Sequence, residues 1–449
     1  MSIAKAITQD LYETFQKLSN IEKNSYRYWR IRILYSTIIG YAAYYLVRQN
    51  FSMTMPGLME EFGYTKVELG WVVTIFSIVY GVGKFFNGYL SDRSNARYFM
   101  SIGLFLSAIV SIFMGLGVGL GTMGFIWGIN AWFQSMGWPP AARMLTHWFS
   151  PKELGTKWGL CASSHQIGAA VILILAGYLI EIFGWRAAFI VPSILALVFS
   201  IYIFNRLRDT PQEVGLPPVE EYKGDGVNNE SSERITVREV LTEVFGNKLV
   251  WYIGIANMCL YIPRIGVFTW APTFLKEFKG VTLLVAGWQT AGFEVAGLLG
   301  GILAGWFSDR VFGGRRGPVG ALFLLGLSLC LFAIWLIPKG HPFLDTLALM
   351  VAGFLVYGPQ VLAGVACADL TSKRAVGMAI GFTGSFAYAG SAISGVGIGA
   401  IVENYGWPGG FILFIITSLI GAFFFSLTWN HRSKNLSTNI EEAKVEATN

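Results

Sequence analysis

Residues 41–58, YAAYYLVRQNFSMTMPGL, and residues 252–275, YIGIANMCLYIPRIGVFTWAPTFL, are apolar stretches that each contain one arginine. These arginines are Arg48 and Arg264. A guanidinium stays protonated and is costly in hydrocarbon, so an arginine inside a membrane-length stretch normally faces a cavity and marks a functional path. The two stretches therefore predict a helical membrane protein whose ligand is an anion.

Both stretches belong to a repeat that extends along the chain. Arg264 lies 216 positions after Arg48, and other identical residues recur at offsets of 216, 217 and 222. Examples are Pro56 and Pro272, Glu61 and Glu277, Asp92 and Asp309, and Trp185 and Trp407. Parallel repeats with the binding site between them are typical of transporters. We therefore expect two similar halves, with the two arginines facing each other.

The composition is that of a membrane protein. Hydrophobic residues make up 54% of the 449 positions and charged residues 13%, with a mean hydropathy of +0.53, whereas charged residues make up about 25% of soluble domains. A membrane helix needs about 20 apolar residues. We predict an all-α membrane protein with twelve spans, at 32–57, 69–91, 97–117, 120–147, 157–182, 186–204, 249–275, 283–307, 317–337, 343–368, 375–401 and 407–429.

These spans predict an N-terminal six-helix half at 32–204 and a C-terminal six-helix half at 249–429. The polar segments are an N-terminal segment at 1–31, a central loop at 205–248 and a tail at 430–449. With both termini in the cytoplasm, 25 of the 33 Lys and Arg residues fall on the cytoplasmic side, as the positive-inside rule requires. No signal-peptide pattern precedes the first span. The prediction is a multi-pass protein with cytoplasmic termini.

Four charged residues predict the nature of the ligand. Arg48 and Arg264 match the oxygens of phosphate or carboxylate, and Lys84 adds a third positive charge unless it snorkels from its helix end. Glu294 falls clearly inside a predicted span, and an ionised acid there would balance one cation. The remaining charge matches a phosphate monoester, which carries roughly −1.5 to −2 near neutral pH.

Polar rings lie close in sequence to these cations. We assign Tyr45, Tyr80 and Tyr261 to the site, although a single tyrosine in a span is often an interfacial anchor. His165 lies in the fifth predicted span. It could assist substrate recognition or be an ordinary neutral histidine with a hydrogen bond.

Two matching acidic-basic turns, Asp92-Arg93 and Asp309-Arg310, lie on the predicted cytoplasmic side. They are too far from the middle of the membrane to bind substrate. We expect them to form charge contacts between helices in one conformation and so to act in gating.

No pattern predicts a cofactor, a metal site or an enzyme. The cysteines lie in or at apolar helices without metal-ligand spacing and are predicted to be buried apolar residues; they are Cys161, Cys259, Cys330 and Cys367. The GxGxxG match at 119–124 follows no strand and opens no βαβ unit, so it does not predict a dinucleotide site. The basic charge lies mainly in predicted cytoplasmic loops, so nucleic acid is not an expected partner.

The chain resembles the major facilitator superfamily, and within it the organophosphate:phosphate antiporters. The resemblance covers almost the whole chain and is carried by YYLVRQNFSMTMP (44–56), GKFFNGYLSDRSNAR (83–97), SSHQIG (163–168), YIPRIGVFTWAPTFLKE (261–277) and FTGSFAYAG (382–390). GWPPAARMLTHWFSPKELGTKWG (137–159) and FNRLRDTPQEVGLPPVEEYK (204–223) look like the hexose-phosphate sensor/transporter branch.

This resemblance implies a monomeric rocker-switch antiporter that exchanges a sugar phosphate, in the first place glucose 6-phosphate, for inorganic phosphate. Arg48 and Arg264 would hold the phosphate. The residues implied to line the same pore are Lys84, His165, Tyr41, Tyr45, Tyr80, Tyr261, Glu294, Tyr357 and Tyr388. Gln49 departs from the glycerol-phosphate branch, which has a second basic residue there.

Two other functions remain open from the sequence. Members of the branch that this chain most resembles include sensors of external glucose 6-phosphate that signal to a membrane histidine kinase, and a sensor could keep the whole site. A carboxylate facilitator would use the same arginines, although the family motifs disfavour it. A bacterial cytoplasmic (inner) membrane is the expected location, with the endoplasmic reticulum as the alternative.

Overall fold

The computed structural model describes residues 3–117, 119–223, 237–372 and 375–431, with side chains from residue 25 onward except 151, 152 and 237. We call the described parts up to 223 and from 237 the N-terminal and C-terminal segments. Within these ranges the chain is helical and contains no strand. The helices are α1 (Ile3–Leu46), α2 (Asn50–Phe62), α3 (Lys66–Asp92), α4 (Ala96–Met114), α5 (Leu120–Gln134), α6 (Trp138–Trp148), α7 (Pro151–Ala162), α8 (Ser164–Phe183), α9 (Ala187–Arg206), α10 (Val219–Lys223), α11 (Val237–Gly246), α12 (Lys248–Phe274), α13 (Leu283–Arg310), α14 (Arg316–Leu336), α15 (Pro342–Leu370), α16 (Val376–Ala392) and α17 (Ile398–Ser426).

Nine helical segments among the described residues are long and apolar enough to cross a membrane, so the protein is a multi-pass membrane protein. The predicted first span coincides with α1 and α2, which are separated by residues 47–49. The predicted fourth span coincides with α5 and α6, which are too short to qualify alone. The predicted last two spans form one 51-residue segment at 376–426. Twelve spans in two halves therefore stay a prediction.

The structure describes the predicted polar segments in part. Residues 224–236 of the central loop and 432–449 of the tail lie outside the described residues. The first part of the central loop, in contrast, packs on α1 and α6. Asp209 forms an ion pair with Arg143 at 3.0 Å, and the ring of Tyr222 stacks on Tyr26 with 3.8 Å between ring centroids.

The predicted repeat has matching geometry at one end of the bundle. Trp185 Nε1 donates a hydrogen bond to Glu61 Oε2 at 2.8 Å, and Trp407 Nε1 donates one to Glu277 Oε2 at 3.2 Å. The glycines directly before the two tryptophans have φ values of +80° and +67°, a region that residues with a Cβ rarely adopt. Each tryptophan thus follows the same kind of turn and reaches the equivalent carboxylate.

The two carboxylates differ in their basic partner. Arg186 Nη2 lies 2.6 Å from Glu61 Oε1 within the N-terminal segment, and hydrogen bonds from Arg186 and Trp185 lower the pKa of Glu61 to about 2. Position 408, which matches Arg186 in the repeat, is a proline. Glu277 instead pairs with Lys66 of the other segment, with 3.1 Å between Nζ and Oε2.

Further polar contacts join the two segments at this end, which we call the Glu60 end. Lys276 Nζ lies 2.5 Å from Glu60 Oε1. The backbone N–H of Lys66 donates to Glu403 Oε2 at 3.1 Å, and that of Leu284 donates to a carboxylate of α8 at 3.4 Å. Charged side chains from both segments therefore hold the Glu60 end together.

Small residues bring the backbones of the two segments close together next to these ion pairs. A Cβ on Gly70 would lie 2.7 Å from the carbonyl oxygen of Gly395, and a Cβ on Gly287 would lie 2.5 Å from that of Leu173. Glycine permits such close helix packing in membranes.

The opposite end, which carries Asp92 and Asp309, is called the Asp92 end. On helices near it, the positions of Gly159, Gly364 and Gly381 have no atom within 4 Å of an added Cβ. A central cavity lies beside Arg48 and is lined by residues such as Ser77 and Ser391. The polar contacts between described residues of the two segments begin at the level of this cavity and continue to the Glu60 end. The bundle is therefore closed at the Glu60 end.

Replacing Glu277 with glutamine should favour opening of the Glu60 end, because it removes the ion pair with Lys66. Partly exposed ion pairs contribute about 0.2–1 kcal/mol. A cysteine introduced at Ser391, on the cavity wall, should therefore react up to about fivefold faster with an impermeant thiol reagent applied to the Glu60 face of vesicles.

Glu61→Gln is the matched control, since it removes an equivalent ion pair that stays within one segment. Its reaction rate should equal that of the protein with only the introduced cysteine. Equal acceleration by both glutamine variants would contradict a specific role of the Glu277–Lys66 contact.

Candidate functional site

Arg48 lies where the first long helix is interrupted. α1 ends at Leu46, α2 begins at Asn50, and the three residues between them form a turn. Such a break leaves backbone carbonyl groups without their helical partners, and inside a membrane these groups must find partners within the protein. The turn around Arg48 therefore depends on polar side chains from a neighbouring helix.

Two amide side chains of α5 provide these partners. Asn130 Nδ2 donates to the carbonyl oxygen of Val47 at 2.9 Å, and Gln134 Nε2 donates to that of Tyr44 at 3.0 Å. The hydroxyl of Ser107 joins the two amides, at 2.5 Å from Asn130 Oδ1 and 2.7 Å from Gln134 Nε2. All three polar side chains are fully buried, so this network fixes the backbone that presents Arg48.

Aromatic rings surround the Arg48 guanidinium. Its Cζ lies 4.4 Å from the ring centroid of Tyr80, 5.3 Å from that of Tyr45 and 5.4 Å from that of Phe76. Among the residues that the structure describes, no carboxylate forms an ion pair with it. The rings stabilise the positive charge through their π faces and leave it available to an anion.

Lys84 lies beside the same aromatic group. Its Nζ is 5.8 Å from the ring centroid of Tyr80 and 5.4 Å from that of Tyr388. The rings of Tyr80 and Tyr388, which belong to different segments, are 5.6 Å apart. The ammonium group is therefore placed at the contact between the segments, close to Arg48.

Arg264 follows Pro263 inside α12 and contacts a second aromatic group. Its Cζ lies 4.9 Å from the ring of Tyr261 and 5.0 Å from that of Tyr357. The Tyr357 hydroxyl lies 3.4 Å from Arg264 Nη2 and donates to the Glu294 carboxylate, at 2.7 and 2.6 Å from its two oxygens. Glu294 is 1% exposed. The acid thus reaches Arg264 through a tyrosine hydroxyl.

His165 connects the two aromatic groups. Its ring centroid is 6.0 Å from that of Tyr45 in the N-terminal segment and 6.0 Å from that of Tyr357 in the C-terminal segment. Its Nδ1 contacts the carbonyl oxygen of Ala162, and its Nε2 is buried without a hydrogen-bond partner among the described residues. Tyr41 packs on Tyr45 at 5.9 Å.

The structure brings the eleven binding residues predicted from the sequence into one connected group. Every member contacts at least one other through a ring, a hydrogen bond or a cation–π pair. The members are Tyr41, Tyr45, Arg48, Tyr80, Lys84, His165, Tyr261, Arg264, Glu294, Tyr357 and Tyr388.

The four predicted gating residues lie away from this group. Asp309 Oδ1 forms an ion pair with Arg316 Nη1 at 2.5 Å, and Arg316 also binds Asp369 at 3.0 Å. These contacts join α13, α14 and α15 within the C-terminal segment. In the N-terminal segment, the backbone carbonyl of Asp92 accepts from Arg143, and Arg93 and Arg310 have no ion pair among the described residues. A role of these turns in gating stays a prediction.

Sequence reasoning missed several polar residues that complete the site. Gln49 Nε2 donates to Ser52 Oγ at 3.1 Å and to the carbonyl oxygen of Phe268 at 3.3 Å. Thr269 and Ser391 line the same cavity beside Arg48. The α5 amides had a detectable signal, since they are polar, lie one helical turn apart and fall within an apolar span.

Among the residues that the structure describes, no group of three or more His, Cys, Asp or Glu side chains is placed to hold a metal ion. The four cysteines are unpaired, and three of them are buried. Chemically, the arrangement offers three cations and several hydroxyl groups to an anion.

Comparison with known proteins identifies the family. The model of the Major Facilitator Superfamily matches residues 37–359 and 279–447. The chain belongs to the Major Facilitator Superfamily. A bacterial homologue of the human lysosomal transporter Spinster, solved inward-facing and unoccupied, shares the fold with a TM-score of 0.74 and 14% identity, over 90% of this chain and 98% of that one.

Curated relatives narrow the family to its organophosphate:phosphate antiporter branch. A probable hexose phosphate transport protein of Chlamydia pneumoniae is 41% identical over 92% of this chain and 94% of its own length. The glycerol-3-phosphate transporter of Bacillus subtilis is 43% identical, over 90% and 94%. The membrane sensor protein UhpC of Escherichia coli is 36% identical, over 88% and 91%. The hexose-phosphate and glycerol-phosphate relatives are thus about equally similar to this chain.

Asn130→Ala should weaken both the fold and the site, because it leaves the buried carbonyl of Val47 without its side-chain donor and the hydroxyl of Ser107 without its acceptor. We expect a loss of about 1–3 kcal/mol in the free energy of unfolding and a weaker affinity for phosphate. Thermal unfolding and calorimetric titration measure the two quantities.

Asn87→Ala is the control, since Asn87 Nδ2 donates to the C-terminal end of α5, at 3.2 Å from Trp132 O, and to Ser135 Oγ just after it at 2.6 Å, away from the break. It should lower stability and leave phosphate affinity unchanged. A positioning role for Asn130 is excluded if both variants bind phosphate equally well.

Tyr357→Phe should reduce phosphate affinity by about tenfold, because it removes the hydroxyl between Arg264 and Glu294 and leaves a buried carboxylate without its donor. The control is Tyr44→Phe, which removes a buried hydroxyl that donates to Met100 O at 2.7 Å. Titration of the two variants should give a decrease for Tyr357→Phe alone. A similar decrease in both would show a general packing effect.

Proposed function

We propose that the protein is a secondary transporter that exchanges a sugar phosphate, in the first place glucose 6-phosphate, for inorganic phosphate. The observation that carries this proposal is the placement of Arg48 and Arg264 in two interior aromatic groups that His165 connects, each arginine without an ion-paired carboxylate among the described residues. Relatives named as hexose phosphate and glycerol-3-phosphate transporters support the class of substrate.

The charges at the site suit a phosphate monoester. Arg48, Lys84 and Arg264 supply three positive charges, and Glu294 supplies one negative charge when ionised. A phosphate monoester with roughly −1.5 to −2 charges would bring the occupied site close to neutrality. The tyrosine hydroxyls and His165 would then contact the remaining phosphate oxygens or the sugar.

Obligatory exchange follows from the cost of closing an empty site. Closure around two guanidinium groups removes water from both and brings like charges together in a low dielectric. A bound anion offsets this cost, so the protein should cross between its two conformations mainly when occupied. Sugar phosphate and inorganic phosphate would bind the same arginines alternately, as alternating access requires.

The proposed architecture is twelve spans in two six-helix halves, at 32–204 and 249–429, with polar segments at 1–31, 205–248 and 430–449. The halves would rock about the central site. The ion pairs at the Glu60 end and the gating turns at the Asp92 end would then form and separate in alternation.

We place the Asp92 end and both termini in the cytoplasm of a bacterium, with the protein acting as a monomer in the inner membrane. The distribution of Lys and Arg supports this orientation. At the opposite end, four of the five Lys and Arg side chains pair with acids: Lys66, Lys276 and Arg186 pair with glutamates, and Lys279 pairs with the buried Asp345 at 2.9 Å. The fifth, Lys339, contacts the ring of Phe278. All three relatives described above are bacterial.

A sensor of external hexose phosphate is the second candidate function. The similarity to the membrane sensor protein UhpC over most of both chains favours it. A sensor would need a histidine kinase as partner, so a kinase gene and a response-regulator gene beside this one would support that function. Binding of glucose 6-phosphate without exchange would also favour the sensor.

Uptake of labelled glucose 6-phosphate into proteoliposomes should require phosphate inside the vesicles. Arg48→Lys and Arg264→Lys keep the charge but lose the planar two-pronged hydrogen bonding of arginine, so each should lower exchange by about 10- to 100-fold. Arg238→Lys, at an exposed position on α11, is the control and should exchange at the wild-type rate. Rapid uptake into empty vesicles would exclude obligatory exchange.

A further inference from the structure

Four arginines converge on the C-terminal end of α9, far from the transport site. They are Arg32 on α1, Arg97 on α4, Arg206 in the last turn of α9 and Arg208 just after it. Arg32 donates to the last two carbonyls of α9 at 3.0 and 3.1 Å, Arg97 Nε donates to the preceding carbonyl, and Arg208 Nη1 donates to that of Asn205 at 3.2 Å. We call these residues the α9 arginine cluster.

Capping of the helix explains only part of this arrangement. The end of a helix carries about half a negative charge, whereas the cluster carries four positive charges. No member of the cluster forms an ion pair with another described residue. Each guanidinium has five N–H donors, and several of them remain free. The cluster therefore has both charge and hydrogen-bonding capacity for an additional anion.

The acidic residues nearby offset only part of the positive charge of the cluster. Asp209 pairs with Arg143, and Glu213 accepts a hydrogen bond from the backbone N–H of Asp209 at 3.0 Å. The pKa of Arg208 is lowered by partial burial and by the positive charges of Arg97 and Arg32, which outweigh the opposing effect of Glu213. The guanidinium groups are thus close enough to repel one another.

The cluster lies at the boundary of the lipid-facing surface. Exposed apolar side chains form adjacent stripes on α4 and α9, and each stripe ends at the cluster. The stripes consist of Tyr98, Ile102 and Phe105 on α4 and of Ile194, Val198 and Ile201 on α9. The rings of Tyr98 and Phe204 meet edge to face at 5.5 Å, and Arg97 Cζ lies 4.4 Å from the Phe204 ring. Acyl chains that cover the stripes would place their headgroups beside the arginines.

Aromatic rings also hold the remaining arginines in place. Trp29 lies under both Arg32 and Arg208, at 4.5 and 5.5 Å from their Cζ atoms. Arg206 Nη2 donates to the Tyr35 hydroxyl at 2.9 Å. These contacts orient the guanidinium groups before any ligand binds, which lowers the entropy cost of binding.

We propose that the α9 arginine cluster binds the phosphate of an anionic phospholipid whose acyl chains lie along the stripes of α4 and α9. Basic pockets between membrane helices at the cytoplasmic boundary recognise such headgroups, and arginine matches phosphate with two parallel hydrogen bonds. A soluble phosphate would use the arginines alone, whereas a lipid uses the arginines and the adjoining apolar stripes. This site is independent of the transported substrate.

The test is native mass spectrometry of the full-length protein in mild detergent, titrated with phosphatidylglycerol or with zwitterionic phosphatidylcholine. The variant Arg97→Gln/Arg208→Gln removes two charges from the cluster. Arg238→Gln/Lys248→Gln removes two exposed positive charges near α11 and is the matched control. Arg97→Lys/Arg208→Lys keeps the charge of the cluster.

We expect the wild type to bind phosphatidylglycerol at least about tenfold more tightly than phosphatidylcholine, and Arg97→Gln/Arg208→Gln to lose about tenfold or more of that affinity. The control and the lysine variant should keep the preference. If the double variant does not fold, Arg97→Gln and Arg208→Gln singly should each show about a fivefold loss.

Three results would overturn the proposal. One is equal affinity of the wild type for the two lipids, and another is an equal loss in the glutamine variant and its control. The third is release of phosphatidylglycerol by millimolar inorganic phosphate, which would show that the arginines bind phosphate without using the acyl chains.

Discussion

The structure depends on keeping three positive charges inside a membrane bundle without neutralising them. Aromatic rings stabilise these charges, since Arg48 contacts three rings, and Lys84 and Arg264 contact two each. A cation–π contact stabilises a charge by about 1–2 kcal/mol, less than a buried carboxylate partner would. The cations are tolerated in the bundle and remain free to bind an incoming anion. Glu294 likewise reaches Arg264 through the Tyr357 hydroxyl and not by an ion pair, so the Arg264 guanidinium remains free to bind an anion.

Much of the site could be predicted from the sequence because arginine in an apolar span is rare and costly. Tyr45 and Tyr261 each precede one of the two arginines by three residues, so helical spacing alone places each tyrosine on the same helix face as its arginine. The repeat then relates Arg48 to Arg264 without any structural information. These signals depend on residue type and on short or regular spacing. In the structure the residues found in this way contact one another.

Other features depend on contacts between residues far apart in the chain. The break at Arg48 exists because amides of α5, more than 80 positions away, satisfy the freed carbonyls. The break also divides the predicted first span into α1 and α2. The predicted fourth span is divided in the same way into α5 and α6. Hydropathy records neither interruption, since the residues on both sides are apolar. The Tyr357 hydroxyl likewise lies between Arg264 and Glu294 only because helices distant in sequence pack together. The same is true of the ion pairs at the Glu60 end.

The two tryptophan–glutamate pairs show how a difference between repeats creates a contact between the two segments. In two identical copies each glutamate would pair with the arginine that follows its tryptophan, and neither would be available to a lysine of the other segment. In one copy an arginine retains the glutamate, and in the other a proline stands at the matching position. Glu277, which has no arginine after its tryptophan, pairs with Lys66 of the N-terminal segment. A difference between the two repeats, rather than an added element, therefore accounts for an ion pair that joins the two segments at the Glu60 end.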